Sequence, residues 1–210
     1  MRWIDCSLNV SERVPTWPGD TPFKHWPTSV MQKGDEANNS SLLGGVHFAT
    51  HLDAPNHFVD AGITVEQLAL DTLIGQCTVI DLTHVQGRIE AADLAGRIPA
   101  GTIRLLVKTA NERFIGDGRF HPDYIAFSPD GMQAVVDAGV KLLGIDYASI
   151  GPYTKENGVV HRLFLGQPGA IAVENVDLRA VAAGDYQLIC LPLKLEGASG
   201  APCRVVLGPL

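Results

Sequence analysis

The chain has 210 residues and a formal net charge of -7, and 46% of its residues are hydrophobic against 19% charged. A chain of this size and composition can bury a substantial apolar core, and we expect one globular domain over residues 1–210. The acidic balance and the lack of a Lys/Arg cluster exclude nucleic acid as an expected partner, because phosphate binding requires a basic surface.

The amino-terminal residues lack the basic and then apolar pattern of a signal peptide, and no apolar run approaches the roughly 18 residues of a membrane-spanning helix. The sequence therefore predicts a cytoplasmic protein with no membrane partner. Its cysteines are scattered and form no Cys-x-x-Cys pair, at Cys6, Cys77, Cys190 and Cys203. We interpret them as buried free thiols, which fit a reducing compartment.

The first predicted element is a strand over residues 2–10. A stiff loop over residues 15–22 follows, which contains three prolines and presents Trp17. A tryptophan between prolines is most often a packing anchor. Residues 23–43 then predict one or two strands joined by a turn near residues 33–35.

Residues 44–58 contain a cluster of metal-ligand side chains. Three of the seven histidines fall here with one aspartate between the last two: His47, His51, Asp53 and His57. In an extended chain these odd-numbered positions share one face, so their side chains can converge. A proline and poor helix formers oppose the helical alternative. Because neutral imidazole is the commonest metal ligand, the pattern predicts a metal site rather than unrelated histidines.

The rest of the chain alternates helical and strand patterns. Helices are predicted over residues 65–73 (ended by Gly75), 90–97 and 129–138, the last with Ser128 as its cap. Compact apolar runs predict buried strands over 77–82, 103–108 and 140–145, and closing strands over 186–195 and 203–207. This alternation predicts an α/β domain with a mixed, partly parallel sheet.

Two further candidate ligands lie in the second half of the chain. His161 heads an apolar run, and Glu174 stands among apolar residues. A buried carboxylate is costly unless it is paired, so Glu174 needs either a metal ion or an arginine such as Arg162 or Arg179. Asp146 directly follows a predicted strand, where α/β proteins place their sites, and it either shapes a pocket or braces a loop.

Several of these segments resemble one family. Residues 47–57 are similar to the His-x-Gly-[Thr/Ala]-His-x-Asp-x-Pro-x-His motif of the metal-dependent cyclase family, which includes the bacterial kynurenine formamidases. The Trp-Pro-Gly-Asp loop at 17–20, the Gly-x-Asp-x-x-Ser segment at 144–149 and the closing strands resemble that family too. The likeness covers nearly the whole chain, although Phe48 and Ala49 replace the usual Thr and Gly.

The resemblance implies a swivelling β/β/α-like fold, a homodimer, and hydrolysis of the small amide N-formyl-L-kynurenine, with Trp17 packing on the aromatic substrate. It also implies one or two Zn²⁺ ions, with Mn²⁺ as the alternative. The implied ligands are His47, His51, Asp53, His161 and Glu174. Because Phe48 could reshape the pocket, another aromatic or cyclic amide such as isatin is the alternative substrate.

Two ions that share carboxylates would lower the pKa of a bound water toward neutrality and supply hydroxide to the amide carbonyl. His57 is then left over, and an ordinary pKa of about 6.5 suits a general acid/base that passes a proton to the leaving amine. The alternative is a third histidine ligand to a single ion. A purely structural metal is disfavoured because no cysteine lies near the histidines, and a serine hydrolase because no Gly-x-Ser-x-Gly segment is present.

Overall fold

Over residues 2–210, the part of the chain that the computed structural model describes, twelve strands alternate with four short α-helices. The strands are β1 (Ile4–Asp5), β2 (Lys24–Ser29), β3 (Asn39–Leu43), β4 (His51–Asp53), β5 (Ile74–Asp81), β6 (Arg88–Ile89), β7 (Arg104–Lys108), β8 (Ala126–Phe127), β9 (Leu142–Ile145), β10 (Ile171–Glu174), β11 (Gly184–Pro192) and β12 (Gly200–Gly208). The α-helices are α1 (Leu70–Leu73), α2 (Ala91–Leu94), α3 (Pro129–Asp137) and α4 (Asn157–Leu165). Single 3-10 turns lie at Met31–Lys33, Pro55–His57, Val65–Gln67 and Ala110–Phe114.

Seven strands close into a barrel, in the order β12-β11-β5-β7-β9-β10-β4 and back to β12. Neighbours from β5 to β10 in this order are parallel, and the remaining neighbours are antiparallel. β12 allows the closure because residues 200–202 pair with β4 while residues 203–208 pair with β11. The predicted mixed α/β class is confirmed, but the sheet closes on itself. Closure depends on strand stagger around the ring, which local sequence patterns do not encode.

The central strands β7 and β9 are apolar on both faces, and each face fills a different core. In β7, Leu106 packs in a cluster to which all seven barrel strands contribute, the barrel interior. Its neighbours Leu105 and Val107 point the other way and pack with Met132 of α3 and Phe164 of α4. A residue that alternates with an interior residue on β4 or β10 therefore faces the outside of the barrel.

Most predicted elements are present, with shifted ends. The helix predicted over 129–138 is α3, and the Ser128 hydroxyl accepts the Gly131 N–H at 3.0 Å as its cap. The predicted hairpin over 23–43 is formed by β2 and β3. By contrast, the strand predicted over 2–10 is reduced to β1, and the helix predicted over 90–97 is reduced to α2.

The helix predicted over 65–73 is divided into a 3-10 turn and α1, and Gly75 lies inside β5 instead of ending a helix. Arg104 supplies the physical reason. Its guanidinium donates to the carbonyls of Asp71 and Thr72, and a Cβ on Gly75 would lie 2.6 Å from it. A side chain from another strand thus satisfies the carbonyls at the end of α1, and the chain turns directly into β5.

All four cysteines are free thiols, and Cys203 is the least buried of them. Burial raises the pKa of Cys6 to about 12, so this thiol stays protonated. The prediction of buried free thiols is confirmed for Cys6, Cys77 and Cys190, whereas Cys203 is only partly buried. None of the helices within residues 2–210 has the length and apolar character needed to cross a bilayer.

Candidate metal centre

The pairing of β4 with β10 brings together an imidazole and two carboxylates. His51 lies directly opposite Glu174, and Asp53 lies opposite Ala172. Leu52 and Val173, which alternate with these residues, point into the barrel interior. His51, Asp53 and Glu174 therefore share the outer face of the barrel, because directly opposed residues project to the same side of a sheet.

His47 and His57 lie in bends on either side of β4, so the shared extended face is wrong for His47, while the bend that carries His57 off the strand is the turn expected at Ala54 and Pro55. Ala49 adopts a left-handed conformation with φ 52° ahead of the strand, and Pro55 begins a 3-10 turn after it. The two bends bring the flanking imidazoles together, with ring centroids 3.8 Å apart. A pattern of period two cannot foresee a chain reversal, although it places His51 and Asp53 correctly.

The fourth imidazole at this point comes from α4, which packs on the outside of the barrel. His161 Nε2 lies 3.3 Å from Glu174 Oε1 and 3.8 Å from Asp53 Oδ2. His51 Nε2 lies 3.5 Å from Asp53 Oδ1 and 3.4 Å from Glu174 Oε2. Each carboxylate thus offers one oxygen to each imidazole. No more than 3% of any of these four residues is exposed.

Backbone carbonyls fix the orientation of both imidazoles. His51 Nδ1 donates to the Ala49 carbonyl at 2.9 Å, and His161 Nδ1 donates to the Asn157 carbonyl at 2.9 Å. A carbonyl only accepts, so in the neutral ring each Nδ1 carries the hydrogen and each Nε2 presents a lone pair to the carboxylates. This is the usual arrangement by which proteins orient a metal-binding histidine.

The two carboxylates of the cluster, Asp53 and Glu174, are not balanced by positive charge when the imidazoles are neutral. Burial alone would lower the pKa of His51, but Glu174 and Asp53 outweigh it and raise the pKa to about 9. Burial also opposes ionisation of Asp53, yet the neighbouring imidazoles, His47 foremost, hold its pKa below the ordinary range. Without a metal ion, a proton on an imidazole therefore supplies the balancing charge, and a bound cation would displace it.

The donor set fits a divalent cation. Among residues 2–210, the buried side-chain atoms without a hydrogen-bond partner are His51 Nε2 and Asp53 Oδ2, and both belong to this cluster. Four donors placed about 2.1 Å from a tetrahedral ion are about 3.4 Å apart, close to the separations found here. Two groups have donors near enough to share an ion: His51 with Asp53 and Glu174, and His47 with Asp53 and His57.

His47 is held by Asp53 of the motif and by two residues that the sequence patterns did not reveal, Ser199 and Gly200. Its Nδ1 lies 2.7 Å from Asp53 Oδ1, and its Nε2 lies 3.0 Å from Ser199 Oγ. Gly200 makes room for the ring, since a Cβ at this position would lie 2.4 Å from His47 Cε1. These contacts join β12 to β4 across the point where the barrel closes, so no local signal could have found them.

The cluster lines one part of a cavity of about 250 Å³, which we call its base, and residues of the loop carrying Trp17 line another part. Trp17 lines the cavity, and its indole is contacted edge-on by Phe120 at 5.4 Å and Tyr153 at 5.1 Å between centroids. Asp20 from the same loop also lines it, a residue that the sequence patterns did not single out. Trp17 is thus a packing anchor, as expected, because its indole contacts Phe120 and Tyr153. The same indole also lines the cavity.

Three sequence-based alternatives are decided by these contacts. Glu174 pairs with His51 and His161, and within residues 2–210 it has no arginine partner, so the arginine alternative is wrong. Phe48 stacks on Phe23 at 5.2 Å and does not line the cavity, so its ring forms no part of the cavity wall. Asp146 does not line the cavity either.

Asp146 braces a loop, the second of its two predicted roles. Its carboxylate accepts the backbone N–H and the hydroxyl of Thr109, both at 2.7 Å. Burial raises the pKa of Asp146 to about 7, against the hydrogen bonds from Thr109, which favour the ionised form. The carboxyl therefore ties the end of β7 to the end of β9.

Fold and site together define a closed-barrel protein with a buried centre of imidazole and carboxylate donors beside an aromatic-walled cavity. The chain belongs to the Cyclase family, whose model matches residues 4–152. The matched residues include the whole motif from His47 to His57, whereas His161 and Glu174 lie beyond them.

Among similar sequences, a kynurenine formamidase from Bacillus cereus is 35% identical over 99% of this chain and 98% of its own. A kynurenine formamidase from Bacillus anthracis is 34% identical over 100% and 98%. Among solved structures, a protein described as a predicted metal-dependent hydrolase from Bacillus stearothermophilus superposes with a TM-score of 0.83 at 30% identity, covering 98% of this chain and 97% of the other. Isatin hydrolase A from Labrenzia aggregata superposes equally well, with a TM-score of 0.83 over 98% and 93% of the two chains, but at 19% identity this likeness establishes the fold alone.

Proposed function

We propose that the protein is a metal-dependent amidohydrolase that converts N-formyl-L-kynurenine to kynurenine and formate. The observation that carries the proposal is the buried donor cluster at the base of a cavity walled by Trp17. The cluster suits a cation that activates an amide, and the indole offers a flat apolar face to an aromatic ring. Full-length relatives that bear the name kynurenine formamidase support the choice of substrate.

We assign His47, His51 and Asp53 to one ion, and Asp53, His161 and Glu174 to a second. Glu174 reaches both positions because its two oxygens face different imidazoles. Mixed imidazole and carboxylate donors suit Zn²⁺, with Mn²⁺ as the alternative. When bound, such ions activate water and polarise the carbonyl of the amide.

His57 is assigned the proton transfer. It lines the cavity, and among residues 2–210 no side chain hydrogen-bonds to its ring. The ordinary pKa of about 6.5 expected for His57 is wrong. Burial lowers the pKa of His57 to about 4, with Asp53 opposing and His47 adding to the shift, so the ring is neutral at pH 7. A neutral imidazole accepts a proton from the attacking water and delivers it to the aniline nitrogen as the carbon–nitrogen bond breaks.

Trp17 is assigned to bind the aromatic ring of the substrate. Phe120 and Tyr153 contact the Trp17 indole edge-on, and the part of the indole that they leave uncovered lines the cavity. An indole held in this way offers a large apolar area at little cost in conformational entropy. The ring of an aryl formamide would then lie beside the donor cluster with its formamide group facing the carboxylates.

We also propose the domain organisation, the cellular location and the oligomeric state of the enzyme. Residues 1–210 form one hydrolase domain, and the free thiols support a cytoplasmic location. A homodimer is proposed on the exposed apolar side chains of the β2–β3 hairpin, since a two-stranded hairpin is only marginally stable by itself. These side chains include Trp26, Leu42 and Leu43. The closing strand β11 offers no free edge for a contact between subunits, because β12 and β5 pair with its two edges.

The test is hydrolysis of N-formylkynurenine by protein stripped of metal and then reloaded with Zn²⁺ or Mn²⁺, with formation of kynurenine and formate both followed. We expect no turnover without metal, restored turnover after reloading, and little turnover by His57→Ala, which should keep its bound metal. Isatin is assayed in parallel, because its hydrolysis in place of the formamide would favour the cyclic-amide alternative. Tight metal binding with no turnover of either compound would favour a non-catalytic metal-binding domain.

A further inference from the structure

The cavity has one charged side chain apart from its donor cluster. Its lining contains four imidazoles and Glu174, which form the base, and Asp20, which belongs to the loop that carries Trp17. Within residues 2–210 no lysine or arginine lines it. Any charged part of a substrate that extends away from the base therefore meets a carboxylate, and the site is built to accept a positive group there.

A tight turn presents Asp20 beside Trp17. The Asp20 N–H donates to the Trp17 carbonyl at 3.0 Å, and Gly19 adopts φ 100°, as the third residue of a type II turn requires. This bond uses the backbone of Asp20. In the described part of the chain the Asp20 carboxylate has no hydrogen bond or salt bridge, and it is exposed to the cavity. Its charge is therefore not needed to hold the turn.

We infer that Asp20 binds the ammonium group of the substrate, so that one turn recognises both the aromatic ring and the amino-acid end. The inference rests on the proposed function, in which the ring packs on Trp17. N-formylkynurenine carries its α-ammonium on a short acyl chain attached to the ring carbon next to the one that bears the formamide, so the ammonium is several bonds away from the scissile formamide carbon. A hydrogen bond between an ammonium and a carboxylate is charge-assisted and stronger than a neutral one.

Asp20 is then a determinant of substrate class. The site selects aryl formamides that carry a primary ammonium and gains nothing from neutral amides such as isatin or formanilide. When a neutral substrate is bound, the Asp20 carboxylate stays hydrated, so no binding free energy is lost. The discrimination therefore comes only from the attraction between Asp20 and a substrate ammonium. Because the pair is near the surface, its effect should weaken as ionic strength rises.

The experiment compares the wild-type holoenzyme with Asp20→Asn on three aryl formamides. These are N-formylkynurenine, a zwitterion; its decarboxylated amine N-formylkynuramine, a cation; and 2-formamidoacetophenone, which keeps the ring, ketone and formamide but has no amine. Asn preserves the turn, since the turn bond comes from the backbone. Glu12→Gln is the matched control, because Glu12 is an exposed carboxylate in the same segment that does not line the cavity.

We expect Asp20→Asn to lower kcat/KM about tenfold for the two ammonium substrates, through KM, with the larger loss for the cation. The neutral formamide should change less than about twofold, and Glu12→Gln should leave all three unchanged. An equal loss on all three substrates, or no loss on any, overturns the inference alone. A wild-type enzyme that hydrolyses none of them overturns the proposed function and the inference with it.

Discussion

The two sides of the cavity are built differently. On the ligand side, His51, Asp53 and Glu174 project from two paired strands, and their spacing follows from one register. On the aromatic side, Trp17, Phe120 and Tyr153 come from three separate loops, and Tyr153 is 42% exposed. Chemistry that needs donors placed within a fraction of an ångström lies on the rigid barrel, and recognition that tolerates adjustment lies on loops.

This difference predicts two kinds of loss. A change on the ligand side should remove metal and turnover together, because no other group can replace a buried donor. A change on the aromatic side should raise KM and leave metal content and the chemical step intact.

The largest effect is expected from Asp53→Asn on the ligand side. The amide keeps the shape of the carboxylate but removes the charge that both ions share, so metal content should fall and kcat should drop at least about 1,000-fold. Metal analysis and turnover of N-formylkynurenine provide the readouts. Asp137→Asn, an exposed residue at the end of α3, is the control and should retain both. A metal-loaded, active Asp53→Asn variant would contradict the assignment.

A smaller loss on the same side is expected from Gly200→Ala. The new methyl group would lie 2.4 Å from His47 Cε1, and the imidazole must move. We expect metal affinity to fall about 10- to 100-fold, as when an orienting contact of a ligand is lost. The control is Gly45→Ala, where the nearest atom would be 3.9 Å away. Equal metal affinities in a competition titration would show that His47 does not hold the ion.

On the aromatic side, Phe120→Leu should change binding alone. It removes one of the two rings that hold Trp17, and an aromatic pair contributes about 0.5–1.5 kcal/mol, so KM should rise roughly 2- to 10-fold with kcat and metal content unchanged. Phe23→Leu is matched to it, since Phe23 stacks on Phe48 outside the cavity lining and should not alter KM. A fall in kcat without a change in KM would contradict the division between the two sides.

The smallest effect concerns stability near the aromatic side, where Asp146 holds Thr109 ahead of the 3-10 turn Ala110–Phe114. Burial raises the pKa of Asp146 to about 7 from an ordinary 3.8. The folded state thus holds a proton that the unfolded state has released, and the stability this provides is lost as pH rises toward 7. The loss should be about 1.4 kcal/mol per pH unit between pH 5 and pH 6.

Asp146→Asn cannot ionise and should lack this contribution. The difference in unfolding free energy between wild type and variant, taken from denaturant titrations at pH 5, 6 and 7, isolates the group from other titrating residues. A difference that stays constant across this range would mean that Asp146 is ionised in the folded protein.

The sequence predicted the ligand side better than the aromatic side for a physical reason. His51 and Asp53 follow from alternation along a strand. The cost of burying a carboxylate gives Glu174 either a metal ion or an arginine as its partner, and the family resemblance favours the metal. Phe120 and Tyr153 contact Trp17 only through the tertiary fold. Such contacts leave no trace in local periodicity.

The same limit applies to the fold. Helix α3 was predicted with its cap because Ser128 and Pro129 act locally. The closure of the barrel and the need for Gly200 depend on β12 meeting β4, which are separated by most of the chain. The position of His47 was missed because one left-handed residue, Ala49, turns the chain inside the motif, whereas His57 leaves the strand at the turn that begins with Pro55.

The central claim is that one ion lies among His47, His51 and Asp53, with a second beside His161 and Glu174, and that His57 stays free to carry a proton. Anomalous diffraction from crystals of the Zn²⁺-loaded protein tests it most directly. We predict a peak about 2.1 Å from His51 Nε2 and from an oxygen of Asp53, with any second peak beside His161 and Glu174, and with no bond to His57. A peak bonded to His47, Asp53 and His57, with none beside His51, would contradict the claim, because His57 would then be a ligand and not the acid/base.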